Sequence, residues 1–154
     1  MINRVRIAKD KAELVQALLD IKETSGPFQT YADIVAFAAS MGAKSNRRSP
    51  LSDISTKEPA PISLDVFISR GYDWLIKLLA IITTNDSNIL SVYDHEAEKQ
   101  RIIIFEEYAN GGLEILRNEL KGSADYTERI LLIMSQIRLG ENQEQQEFDL
   151  TKFL

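Results

Sequence analysis

The sequence contains no cysteine, one histidine and one tryptophan among 154 residues. Without cysteine there is no disulfide, no thiolate nucleophile, no Cys-ligated zinc and no iron–sulfur cluster. The absence fits a reducing compartment. No apolar stretch approaches the roughly 20 residues that a membrane helix needs. The first residues, Met1-Ile2-Asn3-Arg4-Val5-Arg6-Ile7, lack a signal-peptide core, so the expected location is the cytoplasm. Phosphate-cradling loops are absent too: Gly111-Gly112 is not followed by Lys-Ser/Thr and does not follow a strand pattern.

The lone histidine, His95, stands among acids in Asp94-His95-Glu96-Ala97-Glu98. Adjacent helix residues point about 100° apart, and position 99, which would share a metal ion with His95 on one face, is lysine. The run reads as the acidic start of a helix, where negative charge is favourable. Glu106-Glu107 diverge for the same geometric reason and make a poor acid–base pair. With no serine placed beside a base, a nucleophilic triad has no support. The expectation is a protein without catalytic residues, metal or cofactor.

What remains is an ordinary globular composition, 44% hydrophobic and 27% charged, long enough for one real core. The net charge of −5 is unevenly spread. Up to Lys57 there are nine Lys and Arg against six Asp and Glu; beyond it, nine against seventeen. A basic surface in the first half and an acidic one in the second are implied.

The periodicities predict a mostly α fold with a short N-terminal strand and five or six helices. Asn3–Lys9 alternates, with Val5 and Ile7 on one face and Arg4 and Arg6 on the other. Lys9–Glu23 then carries Leu14, Val15, Leu18 and Leu19 at helical spacing, ended by Ser25-Gly26-Pro27. Thr30 is a helix N-cap, with Asp33 in the capping-box position and Gly42 as terminator. Residues 1–42 thus form a strand-helix-helix segment. Residues 43–62 read as a basic linker with Pro50, Pro59 and Pro61. Residues 63–140 hold the remaining helices, packed with the first segment as one domain. Ser63 caps the first, and Gly71 interrupts it. Tyr72–Thr84 is apolar nearly all round and is expected to be the central buried helix. Asp94–Ala109 is long and charged. Asn110-Gly111-Gly112 either breaks it or lets a neighbour approach closely. Leu113–Leu120 and Ala124–Leu139 follow, with Gly140 as a stop. Residues 141–154 are a polar, then apolar, tail.

Two binding constellations emerge. Strand-helix-helix is the order of a ribbon-helix-helix module, in which two chains pair their strands and the ribbon enters a DNA groove. Arg4 and Arg6 would face the groove, and Thr30 and Tyr31 would meet phosphate at the helix start. Lys44, Arg47 and Arg48 would clamp the backbone, and the protein would be a homodimer. The other constellation is an adaptor: the acidic second half, with Phe148, Leu150, Phe153 and Leu154 as a docking peptide, would bind a protein partner.

Four stretches also carry a resemblance: Phe28-Gln29-Thr30-Tyr31-Ala32-Asp33, Lys57-Glu58-Pro59, Arg70-Gly71-Tyr72-Asp73, and Ile104–Leu116, whose Glu-Glu-Tyr-Ala-Asn-Gly-Gly run is the most specific. Through them the chain resembles the DNA phosphorothioation-associated protein four family, encoded beside bacterial Dnd systems. The likeness covers roughly Arg4 to Leu139, leaving the tail outside. Dnd systems replace a non-bridging phosphate oxygen of DNA with sulfur, and a partner machinery restricts unmodified DNA. The resemblance implies an accessory role in that restriction–modification defence, with DNA and other Dnd proteins as partners. It carries over no catalytic residue. The Glu106–Glu114 run is either a functional surface or a packing device.

Overall fold

The computed structural model describes the backbone of residues 3–21 and 24–152, and side chains within 3–21 and 26–139. It is mostly α-helical. The chain opens with β1 (Arg4–Val5), a 3-10 turn at Lys9–Lys11 and α1 (Ala12–Ala17). A small hairpin, β2 (Asp20–Ile21) and β3 (Thr24–Ser25), leads to α2 (Tyr31–Lys44). After the linker come β4 (Ile62–Ser63), α3 (Leu64–Ser69), α4 (Asp73–Thr84), α5 (His95–Leu120) and α6 (Tyr126–Lys152).

The short caps behave as their side chains dictate. The Thr30 hydroxyl accepts from the Asp33 amide at the start of α2, and Ser63 accepts from Asp65 at the start of α3. Asp94 accepts from Glu96 and Ala97 at the start of α5. Gly71, at φ +85°, makes the corner between α3 and α4.

The first helix is shorter than its apolar stripe predicts. It ends at Ala17, and the chain turns back through the hairpin. Gly26 permits this: a Cβ there would stand 2.1 Å from the Leu18 carbonyl carbon. Backbone bonds between Leu18, Asp20 and Phe28 then seat Phe28 against Phe37, ring centroids 5.3 Å apart.

The central helix is α5, not α4. Fourteen of its residues are buried, among them Ile104, Phe105, Glu106, Asn110, Leu113 and Leu116. At 26 residues it is about 39 Å long. α2 packs closely on it because both helices present small residues at the crossing. Ala38 and Gly42 of α2 meet Tyr108 and Gly112 of α5, while Gly111 of α5 lies against the backbone of Arg47 in the linker. A Cβ on Gly112 would lie 1.7 Å from the Ala38 carbonyl oxygen, and one on Gly42 2.1 Å from that of Tyr108. Gly42 is therefore a contact residue inside α2 rather than its terminator. Asn110-Gly111-Gly112 does not interrupt α5.

α4 buries only Leu75, Ile76, Leu79 and Ala80. α6 rests on α5 through Ile130 and Ile133, with Arg129 bonded to the Glu119 carboxylate. It runs through Gly140 to Lys152. One glycine costs a helix only about 1 kcal/mol, too little to end it by itself.

The ribbon-helix-helix expectation is corrected at the strand. β1 pairs antiparallel with β4 of its own chain, Arg4 opposite Ser63 and Val5 opposite Ile62. The linker is likewise fixed to the domain. Lys9 donates to Asp53, Ser55 to Ile7 and Ser49 to Glu107, all through backbone amides at 2.8–3.0 Å.

Candidate functional site

The Glu106–Glu114 run of α5 is where the predicted DNA-contacting arginines go. Glu106 has a side chain only 1% exposed. One of its oxygens accepts from the Arg6 backbone amide at 2.6 Å and from Arg6 Nε at 3.0 Å. The other accepts from Arg6 Nη2 at 2.9 Å. The Glu106 bond raises the Arg6 guanidinium further above its ordinary range, over the opposing effect of burial. Arg48 donates to Glu107 at 3.2 Å, and Arg47 to Glu114 at 2.9–3.0 Å. Asn110 donates to the Ser49 and Pro50 carbonyls, which pins the linker across α5.

Lys11 is a buried cation that the sequence pattern does not single out. It is 1% exposed, with its ammonium 2.8 Å from Asn110 Oδ1 and 3.0 Å from Asp10. One signal points to it: Lys11 precedes Val15 by four residues and lies on the same inward face.

Thr30 is occupied by its cap, and the Tyr31 hydroxyl donates to Glu58. Burial first, then that bond and the Glu58 charge, push the Tyr31 phenol up to about 12. Lys44 sits exposed in the last turn of α2. Among the seven residues expected to contact DNA, Arg4 is an exposed cation whose side chain makes no bond to the described residues. Phe148 and Leu150 lie on the backbone of α6 with side chains outside the described residues, as are Phe153 and Leu154 entirely.

A different surface forms around α4. Burial pushes the Asp33 carboxyl up, but bonds from Arg70, Tyr72 and Thr30 and the Arg70 charge outweigh it, so the pKa is lowered. Arg70 donates to both Asp33 oxygens at 2.8 Å and Tyr72 to one at 2.6 Å. This tie lines a groove of about 450 Å³, with Phe28, Phe37, Tyr72 and Trp74 along it. Trp74 lines this groove and also stands on the outer side of α4. Trp74, Leu78 and Ile82 recur there every four residues at 63%, 44% and 59% exposure. A helix that is apolar all round has one face in the core here and the other in solvent.

His95 is exposed at the start of α5. Among the described residues, no three His, Asp or Glu side chains are grouped to hold a metal ion. No described helix is long and apolar enough to cross a membrane.

A family model, DNA sulphur modification system-associated protein 4, matches residues 4–153. The match extends past Leu139, the limit expected from the four resembling stretches, and takes in most of the tail. No curated protein and no solved structure matches the chain.

Proposed function

The chain belongs to the DNA sulphur modification system-associated protein 4 family, and we propose that it serves that system as a non-enzymatic adaptor within a restriction–modification defence. It docks another protein component of the system against the outer side of α4. The observation that carries this reading is the unpaired stripe of Trp74, Leu78 and Ile82, continuous with the aromatic groove at Phe28, Phe37 and Tyr72. Large exposed apolar surface flanked by polar residues is the usual mark of a protein-binding face. Its charges are internally paired, Asp73 with Lys77 at 2.8 Å and Asp33 with Arg70. The face therefore suits an apolar helix more than a charged polymer. Its aromatic anchor, Trp74, is the residue type that most often dominates a binding interface.

The arginines give the complementary argument. Gripping a phosphate backbone with Arg6, Arg47 or Arg48 requires releasing Glu106, Glu114 or Glu107. For Glu106 that leaves a buried carboxylate unpaired, at a cost of about 3–5 kcal/mol. Helix α5 thus competes directly with DNA for the cations of the linker and strand.

The test is titration of the purified protein against each purified component of the sulphur modification system. One component is expected to bind, and Leu78→Asp or Ile82→Asp is expected to weaken that binding at least tenfold while leaving the circular dichroism spectrum unchanged. Binding indifferent to both substitutions would show that the partner sits elsewhere.

A further inference from the structure

We propose that the cleft between β1 and the first turns of α5 is a binding site for a phosphate-ester anion. This inference does not rest on the adaptor reading, since it uses the opposite end of a different helix. The cleft holds about 330 Å³ and is lined by Asn3, Arg4, Arg6, His95 and Lys99, by the carboxylates Glu96 and Glu106, and by the apolar pair Ile102 and Ile103. That size accommodates a small ligand or one unit of a polymer.

Two cations that make no ion pair with the described residues meet at this cleft. Elsewhere most arginines of the described residues are engaged: Arg47, Arg48, Arg70 and Arg129 with carboxylates, Arg101 with the Ile89 and Ser91 carbonyls, and Arg117 with Asp10. Arg4 and Lys99 are exposed and make no ion pair with the described residues. Both line this one cleft, 95 residues apart in sequence.

Arg6 is held there by Glu106 through Nε and Nη2, while Nη1 has no acceptor among the described residues. Glu106 has both oxygens occupied by Arg6. Glu96 accepts from Gln100. Arg6 and Glu106 neutralise each other, so Arg4 and Lys99 face the single carboxylate of Glu96, a local excess of positive charge in a chain of net charge −5. The α5 amides are not part of the site, because Asp94 already accepts from Glu96 and Ala97. Guanidinium and ammonium donors over an apolar wall match a phosphate ester, whose anionic oxygens take charge-assisted hydrogen bonds and whose organic part covers the wall.

Two sources share that chemistry, a nucleic-acid backbone and a free nucleotide, and the experiment separates them. A fluorescent duplex of about 12 base pairs, long enough for one full turn of DNA, and adenosine monophosphate are each titrated against the full chain at low and moderate salt. Arg4→Gln/Lys99→Gln and Arg4→Glu/Lys99→Glu variants run alongside, with Lys57→Glu/Lys121→Glu as a control of equal charge change. Duplex binding reduced at least tenfold by the Arg4/Lys99 charge reversal, but not by the control, assigns the cleft to a nucleic-acid backbone. The salt slope should also fall by about one for each phosphate that the variant no longer grips. The same variant dependence for adenosine monophosphate, without duplex binding, assigns it to a free phosphate ester. No binding of either probe at low salt, or binding that survives both Arg4/Lys99 variants, overturns the proposal. Both positions are exposed, so the neutral variant retains the fold and keeps the test decisive.

Discussion

Glu106 is the residue on which the N-terminal strand depends. Its carboxylate has almost no solvent and three donors, all from Arg6. Replacing Arg6 by methionine strands that charge, and we expect a loss of about 3 kcal/mol in urea unfolding. Adding Glu106→Gln to Arg6→Met should recover part of the loss, because the buried group is then neutral. An unchanged midpoint in Arg6→Met would show that the pair contributes nothing. Asp33 gives a second expectation, with a definite sign. Its carboxyl pKa is lowered from the ordinary 3.8 by Arg70, Tyr72 and Thr30 acting against burial. A depressed carboxyl stabilises the fold above its unfolded pKa and loses that contribution as pH falls through the folded one. Asp33→Asn should therefore lower stability near neutrality and flatten the decline below about pH 4. An acid limb identical to that of the parent would contradict this. At this scale the sequence is legible where a side chain serves its own backbone, as with the caps Thr30 and Ser63. It is not legible where a charge is satisfied from 100 positions away, as with Arg6 and Glu106, because periodicity reports a face and not a partner.

Among the elements, α4 and α5 exchange the roles that their composition suggests. The more apolar helix lies at the surface and the more charged one in the centre. Hydrophobicity decides which helices want burial, but α5 can be central because Arg6, Arg48, Lys11 and the linker carbonyls satisfy its polar groups. The choice left open at Asn110-Gly111-Gly112 resolves as close packing, which glycines in a helix always permit but never announce. This contact makes a sharp prediction. Gly112→Ala puts a methyl 1.7 Å from the Ala38 carbonyl oxygen, where backbone stands on both sides. It should cost at least the upper end of the roughly 1–3 kcal/mol typical of overpacking. Gly71→Ala, at φ +85° with open space, is the comparison and should cost about 1–2 kcal/mol from backbone strain alone. Thermal midpoints of the two variants check the order, and equal midpoints would contradict the α2–α5 contact. The α6 boundary departs from expectation for a simpler reason: Gly140 acts as a stop only with a suitable cap geometry, which a sequence does not display.

For the molecule as a whole, the arrangement separates three surfaces. The basic linker and strand are drawn onto α5, which leaves a small cationic cleft beside β1. The outer side of α4 offers an apolar face. The mostly α architecture and the family are legible from the sequence, the first from helical stripes and the second from the four resembling stretches. The candidate site is not, since an apolar run says nothing of which face its own chain will cover. Leu78 is 44% exposed, so Leu78→Asp should change folding stability by no more than about 0.5 kcal/mol while weakening partner binding at least tenfold. Equal losses of stability and binding would instead make Leu78 a folding residue.

The most direct test uses Trp74, the chain's single tryptophan, which stands on the proposed interface with 63% of its surface exposed. Its emission is recorded while each purified tryptophan-free variant of the system's components is added. The account predicts that one component moves the emission to shorter wavelength in a saturable way, and that Ile82→Asp removes the shift. A component that binds the chain tightly, yet leaves the Trp74 emission unmoved, would contradict docking on α4.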